Sequence, residues 1–181
     1  MSNCSKSKDE LINLLRKGKV DDFNEIRLCD QNAPIDLTEI DFNGLEINGV
    51  NLSGADLSGS DFSKCEINNT DFSNCDLTCV NFTGSVIKQT DFSSSILSGV
   101  KFIGASVNNC DFADADTGGT DFSEADLADS DFSLAQNLAE CIFNSYTIWP
   151  DNDNLPEDFD TEYTEDLSSL KDDEFEDDFE Y

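Results

Sequence analysis

A large apolar residue returns at every fifth position from Leu37 to Phe132, with Thr117 the single exception, which makes twenty consecutive units. A period of five fits neither a helix, at 3.6, nor a flat strand, at 2. It fits a short extended stretch followed by a turn. We call the apolar residue the centre. Two residues before it stands a small or medium, uncharged side chain, as at Ala55, Ser60, Cys65, Thr70 and Cys75. The residue just before the centre is usually acidic (Asp56, Asp61, Glu66, Asp71, Asp76), and the one after is mostly Ser, Thr or Asn. Two after the centre comes the corner, which holds eight of the chain's ten glycines, among them Gly44, Gly54 and Gly99. Glycine at a fixed offset marks a tight bend or a positive φ.

Every twentieth centre gives four uniform columns. The first is Leu37, Leu57, Leu77, Leu97, Thr117; the second Phe42, Phe62, Phe82, Phe102, Phe122. The third is Ile47, Ile67, Ile87, Val107, Leu127; the fourth Leu52, Phe72, Phe92, Phe112, Phe132. Like residues stack on like, so the chain winds into five coils of four sides. Parallel pairing sets the coils about 4.8 Å apart, for a stack about 25 Å tall. The centre and the small residue point inward, and the other three positions face water. Nine phenylalanine rings in columns two and four can stack. Cys65, Cys75 and Cys110 take the small inner position as compact buried hydrophobes. Thr117, beside Gly118-Gly119, puts a hydroxyl in an apolar column and predicts a weak side there.

Units such as Ala55-Asp-Leu-Ser-Gly and Ser60-Asp-Phe-Ser-Lys resemble the pentapeptide repeat family over about residues 35–143. The resemblance implies an all-β solenoid: a right-handed quadrilateral parallel β-helix with type I or II turns at its corners.

An open stack exposes strand edges at both ends and needs covers. Residues 1–34 read as a helical cap. Ser7-Lys-Asp-Glu10 is a capping box, Leu11, Leu14 and Leu15 follow at helical spacing, and Gly18 stops the helix. Val20, Phe23 and Ile26 suggest a second short helix to about Leu28. This segment is similar to the helical leader of bacterial pentapeptide proteins. Residues 35–149 form the β-helix. The register slips by one at Gln136, and Leu138 and Phe143 continue as two imperfect units. Tyr146-Thr-Ile-Trp149-Pro150 resembles the family's aromatic closing segment, with Trp149 as the lid. Residues 150–181 read as an acidic tail, disordered beyond Asp160. Within it Tyr163, Leu167 and Leu170 share a helical face, and Phe175, Phe179 and Tyr181 alternate with acids, a composition that suits docking on a groove.

Forty acids against ten bases leave a net charge of −30. That balance opposes direct contact with nucleic acid, which needs a basic face. No apolar run is long enough to span a membrane, and the first residues lack the apolar core of an export signal. An odd count of seven cysteines then points to free thiols in a reducing cytoplasm. No His is present, Cys75-x3-Cys79 lacks the partners of a zinc site, and no phosphate loop or catalytic triad occurs. The expectation is a non-enzymatic protein with no metal and no cofactor.

Two surface features are candidates for function. The acids before the centres form ladders: Asp71, Asp91, Asp111 and Asp131 on the fourth face, and Asp36, Asp56, Asp76 and Asp116 on the first. Asp suits such a place by bonding to nearby backbone. An acidic rod also resembles the gyrase-protecting branch of the family, which implies imitation of DNA toward gyrase or topoisomerase as the alternative reading. The second feature is a break in the third and fourth coils, where Val86, Ile96, Lys101 and Ser106 replace acids, with Lys88 and Ile103 alongside. Exposed apolar residues at these sites mark a candidate partner contact. The expected partner is a protein with a basic or mixed surface, bound by a monomer or weak homodimer.

Overall fold

The computed structural model describes residues 6–29 and 35–161. Helix α1 spans Lys8–Arg16 and opens with the capping box: the Glu10 amide donates to Ser7 Oγ (3.3 Å) and the Ser7 amide to Glu10 Oε2 (3.0 Å). Gly18 ends it in the left-handed region at φ +63°, and α2 runs from Val20 to Cys29. Leu11, Ile12, Leu15 and Phe23 are buried.

From Ile35 the chain winds as a quadrilateral coil whose successive turns pair in parallel, residue n with n+20. We number faces 1 to 4 by the column of centres each carries. The backbone donors can be followed one by one. The centre's N–H reaches the next coil (Phe62 to Asn81 O, 2.7 Å), as does the corner's (Cys79 to Ser98 O, 2.9 Å). The outward residue's N–H reaches the coil before (Asp91 to Thr70 O, 3.0 Å). The N–H after the corner closes the turn on the previous centre (Ala55 to Leu52 O, 2.9 Å). The corner takes a left-handed φ in unit after unit, from +51° at Asn69 to +72° at Gly119, so Gly recurs there.

Face 3 is the most regular. Strands β2 (Glu46–Asn48), β4 (Glu66–Asn68), β5 (Val86–Lys88) and β6 (Ser106–Asn108) form a four-stranded parallel sheet in that order. On face 1, β1 (Ile35–Asp36) pairs with β3 (Ala55–Asp56). The remaining sides meet through isolated parallel bridges.

All the centres in the four columns are buried. Phe82 stacks on Phe102 at 5.0 Å and Phe92 on Phe112 at 5.0 Å, while Phe82 and Phe92 meet edge to face at 6.0 Å. The two columns thus interlock with offset-stacked and T-shaped pairs. The small inner residues are not only fillers. Ser60 Oγ donates to Leu37 O (2.7 Å), Thr120 Oγ1 to Leu97 O (2.8 Å) and Cys65 Sγ to Phe42 O (3.0 Å), so each reaches the coil before. Thr117 is fully buried, yet its hydroxyl donates to Gln136 O at 2.8 Å. The hydroxyl that the sequence sets in an apolar column is thus satisfied.

The leader meets the lower edge of the first coil with polar side chains. Lys8 Nζ donates to Asp36 Oδ1 (2.8 Å) and Thr38 O (3.0 Å), and Arg16 to Asp41 O (3.0 Å). Asn24 donates to Gly49 O (2.8 Å) and accepts from the Asn51 amide (2.9 Å), and Arg27 donates to Ser53 O. Backbone groups on all four sides of this edge are satisfied by the cap.

At the other end a sixth coil has sides of six residues. Gln136 pairs with Asp116, Ile142 with Asp121 and Ile148 with Asp126, and the Phe132 amide donates to Asn154 O (2.8 Å). Trp149 meets Phe122 and Phe132 edge-on, both at 5.9 Å, and Phe159 packs on Trp149 at 4.9 Å. Leu155 is buried and Phe159 packs against the core, so the packed chain continues past residue 149 to Phe159. Residues 162–181, with the expected disorder of the tail, lie outside the described residues.

Candidate interaction surface

The donors traced above leave one N–H per unit, that of the residue after the centre. Where Asp or Asn stands before the centre, its side chain takes it; in the face 3 strands the residue after the centre joins the ladder instead. Asp71 Oδ1 accepts from the Ser73 amide (2.9 Å) and hydroxyl (2.6 Å), Asp91 from the Ser93 amide (2.8 Å), Asp111 from the Ala113 amide (2.9 Å) and Asp131 from the Ser133 amide (2.9 Å). Face 1 repeats this at Asp36, Asp56, Asp76 and Asp116. Asn51 and Asn81 make the same bond, each at 3.1 Å, so the bond asks for an Asx oxygen and not for a charge.

The acids line up coil above coil. Asp71, Asp91, Asp111 and Asp131 bridge in sequence up face 4, and Asp36, Asp56 and Asp76 up face 1, where Ile96 interrupts before Asp116. Rungs about 4.8 Å apart place like charges where each neighbouring pair costs about 1 kcal/mol in bulk water, less with salt. The turn bonds engage Oδ1 alone, and a carboxylate has further acceptor sites to offer. At the foot of face 1 the Lys8 ammonium and the Thr38 amide hold the Asp36 carboxyl down to about 2.

The six residues at the break in the acids differ in standing. Val86, Lys88, Ile96 and Lys101 are exposed, whereas Ile103 and Ser106 are half-buried. Lys101 bridges Asn81 and Asp121 on face 2, Val86 pairs with Ser106 and Lys88 with Asn108 on face 3, and Ile96 lies across the molecule on face 1. The third and fourth coils therefore bring five of the six together on faces 2 and 3 and leave Ile96 apart. A set of exposed apolar residues that the sequence reading passed over lies in the terminal coil: Ile142, Tyr146 and Ile148. Their signal was the spacing of Leu138, Phe143, Trp149 and Leu155, five and then six residues apart.

Burial pushes the thiols of Cys75 and Cys110 up to about 12 and that of Cys65 to about 11. They are inner packing groups, held protonated. Among the described residues no helix is long and apolar enough to cross a membrane.

Residues 22–92 match the family model described as a pentapeptide repeat region, and residues 75–114 and 108–136 match that of pentapeptide repeats in eight copies. The chain belongs to the pentapeptide repeat family. Solved structures of other pentapeptide repeat proteins are similar to it. One, from the Arabidopsis thaliana thylakoid lumen, is 21% identical over 50% of this chain and 66% of its own, with a TM-score of 0.42. This chain thus spans slightly less than two thirds of that relative. A pentapeptide repeat protein from the cyanobacterium Cyanothece 51142 is 19% identical over 70% of this chain and 97% of its own (TM-score 0.34). One from Nostoc Pcc 7120 is 22% identical over 67% and 91% (TM-score 0.30). No curated protein matches the sequence. The pentapeptide repeat chain described here is a parallel β-helical solenoid with two helices near its N-terminus.

Proposed function

We propose that this pentapeptide repeat protein is a non-enzymatic scaffold of the cytoplasm that holds a partner protein against its acidic faces 4 and 1. The partner presents a basic or mixed surface. The observation that carries the reading is the unbroken ladder Asp71–Asp91–Asp111–Asp131, four carboxylates in register on a rigid wall, each with one oxygen committed to its own turn. A rigid row of like charge steers a complementary surface and sets its orientation. Turn formation alone would be served by Asn, as at Asn51 and Asn81. The chain nevertheless carries acid at most such positions, at a cost in repulsion.

Asn therefore separates the two roles. The full chain and its Asp71→Asn/Asp91→Asn/Asp111→Asn/Asp131→Asn variant are compared in a cross-linked pull-down from native lysate. The variant keeps the turns and removes four charges, so its melting temperature is expected to hold or rise while partner recovery falls at least tenfold. Equal recovery of the same partner would overturn the reading. Loss of supercoiling inhibition in the same variant would assign the partner as gyrase or topoisomerase, and the acids as an imitation of DNA.

A further inference from the structure

All three basic residues of the five coils stand on one side of the molecule. Lys88 lies on face 3, Lys101 on face 2, and Lys64 at the corner between them. The Lys64 amide donates to Thr83 O (3.0 Å), and its Cγ lies 3.9 Å from where a Cβ on Gly84 would stand, so Lys64 sits directly under the third coil's corner. The sequence has no acid between Asp76 and Asp91, nor between Asp91 and Asp111. In the third and fourth coils, faces 2 and 3 are therefore free of acids, and exposed Val86 and half-buried Ile103 lie among the lysines. Glu66 and Asp61 border this window from the second coil, and Asp121 and Asp126 from the fifth. None of the three lysines is ion-paired among the described residues, whose salt bridges all belong to the leader: Lys6–Glu10, Lys8–Asp36 and Lys19–Asp22.

A basic window on a chain of net charge −30 calls for an acidic occupant, and one is attached. Residues 162–181 carry ten acids and a single Lys171. The described chain ends beside face 2: Phe159 packs on Phe143 and Trp149, in a shallow cavity lined by Ala139, Phe143 and Asp158 to Asp160. Neighbouring Ile142 stands over Asp121, and Asp121 over Lys101, so the lysine is two coils away. That is about 10 Å, against the roughly 66–72 Å that twenty extended residues can span. Faces 4 and 1 repel such a segment along their length. Faces 2 and 3 offer it exposed Ile142, Tyr146 and Ile148 at the top, then one acidic coil, then the window. The segment's Tyr163, Leu167, Leu170, Phe175 and Phe179 supply apolar groups for both.

We propose that residues 162–181 fold back along faces 2 and 3 of their own chain and set their acids against Lys64, Lys88 and Lys101. This contact does not depend on the partner of faces 4 and 1, which it leaves open. The test uses the full chain as an equal mixture of light and ¹⁵N-labelled protein, treated with a carbodiimide, which joins lysine to carboxylate without a spacer. Cross-links from Lys64, Lys88 or Lys101 to acids between Glu162 and Glu180 are expected within chains of one label, strong at low salt and lost at high salt. Hydrogen exchange in the segment is expected to be slowed at least threefold at low salt. It should return to the free-chain rate in the Lys64→Gln/Lys88→Gln/Lys101→Gln variant, whose three sites are exposed and whose melting temperature should hold. Absence of these cross-links, cross-links only between different labels, or exchange unchanged by the triple variant would overturn the proposal.

Discussion

Faces 3 and 4 are built from the same five-residue unit and differ in kind. On face 4 each side bends at an Asx turn, with Asp71, Asp91, Asp111 or Asp131 taking the following amide. On face 3 the residue before the centre is Glu46, Glu66, Val86 or Ser106, and the side runs on as a three-residue strand. There the residue after the centre enters the ladder, Asn48 with Asn68 and Lys88 with Asn108. The centres differ as well: Ile47, Ile67, Ile87 and Val107 are β-branched and favour extended backbone. The fifth unit of face 3 supplies the control. Asp126 precedes Leu127, which branches at Cγ and not at Cβ, no strand forms, and Asp126 Oδ1 accepts the Ala128 amide at 3.2 Å. Ile96-Leu97 and Lys101-Phe102 lack the Asx oxygen, yet their sides remain bent. An apolar β-branched centre with no Asp before it thus goes with strand, whereas Thr117, β-branched behind Asp116, keeps the turn, and the Asx oxygen secures the bend.

The inward sides should differ most. Phe92, on face 4, stacks on Phe72 (5.3 Å) and Phe112 (5.0 Å) and meets Phe82 (6.0 Å) and Phe102 (5.9 Å) edge-on. Phe92→Ala removes a ring held by four others and should cost about 3–5 kcal/mol. Ile87→Val on face 3 leaves a β-branched centre and should cost about 0.5–1.5 kcal/mol. Denaturation midpoints measure both. Comparable losses would mean that the phenylalanine columns do not hold the stack.

Much of this was legible in the sequence because the repeat is regular. A strict period leaves one way to bring Phe over Phe, so the coil count, the inward positions and the ladders could be read from columns alone. What stayed hidden depends on single departures from the period. Face 3 could be read as strand only by weighing the β-branched column against the missing Asp, whereas Glu46 and Glu66 looked like ordinary acids of the repeat. The terminal coil escaped because its sides lengthen to six residues, which breaks the columns on which the reading rests. The break at Val86, Lys101 and Ser106 was visible, and the columns already set Ile96, which precedes Leu97, on face 1 and apart from the rest. The edge contacts of Lys8, Arg16, Asn24 and Arg27 left no sequence signal, since they link a helical leader to backbone atoms.

The turn bond sharpens the comparison further. Asp91→Ala strands the Ser93 amide and should cost about 1 kcal/mol, the ordinary worth of one such bond. Asp91→Asn keeps the acceptor and removes a like charge from the ladder, so it should be neutral or slightly stabilising. Glu66→Ala, on face 3, removes an exposed side chain whose unit uses the strand ladder instead, and should stay within about 0.5 kcal/mol of the parent. Thermal melts of the three variants under one buffer test the order. If Asp91→Asn were as damaging as Asp91→Ala, charge and not the acceptor would be holding the turn.

The smallest effect lies where a turn lacks its acceptor. Ile96 is 46% exposed on face 1, between Asp76 and Asp116, and its unit bends like its neighbours. Ile96→Asn should let the new Oδ1 take the Ser98 amide, as Asn51 takes that of Ser53 at 3.1 Å. Water already serves an exposed amide, so the gain is the net worth of one hydrogen bond, about 0.5 kcal/mol. Ile96→Asp should gain less, because it closes the gap in the face 1 ladder with one more negative charge, and the shortfall should vanish at high salt. Melting curves of both variants at two salt concentrations separate these terms. Destabilisation by Asn at either salt would show that Ile96 contributes packing on face 1, and that the missing acid there is no defect in the turn.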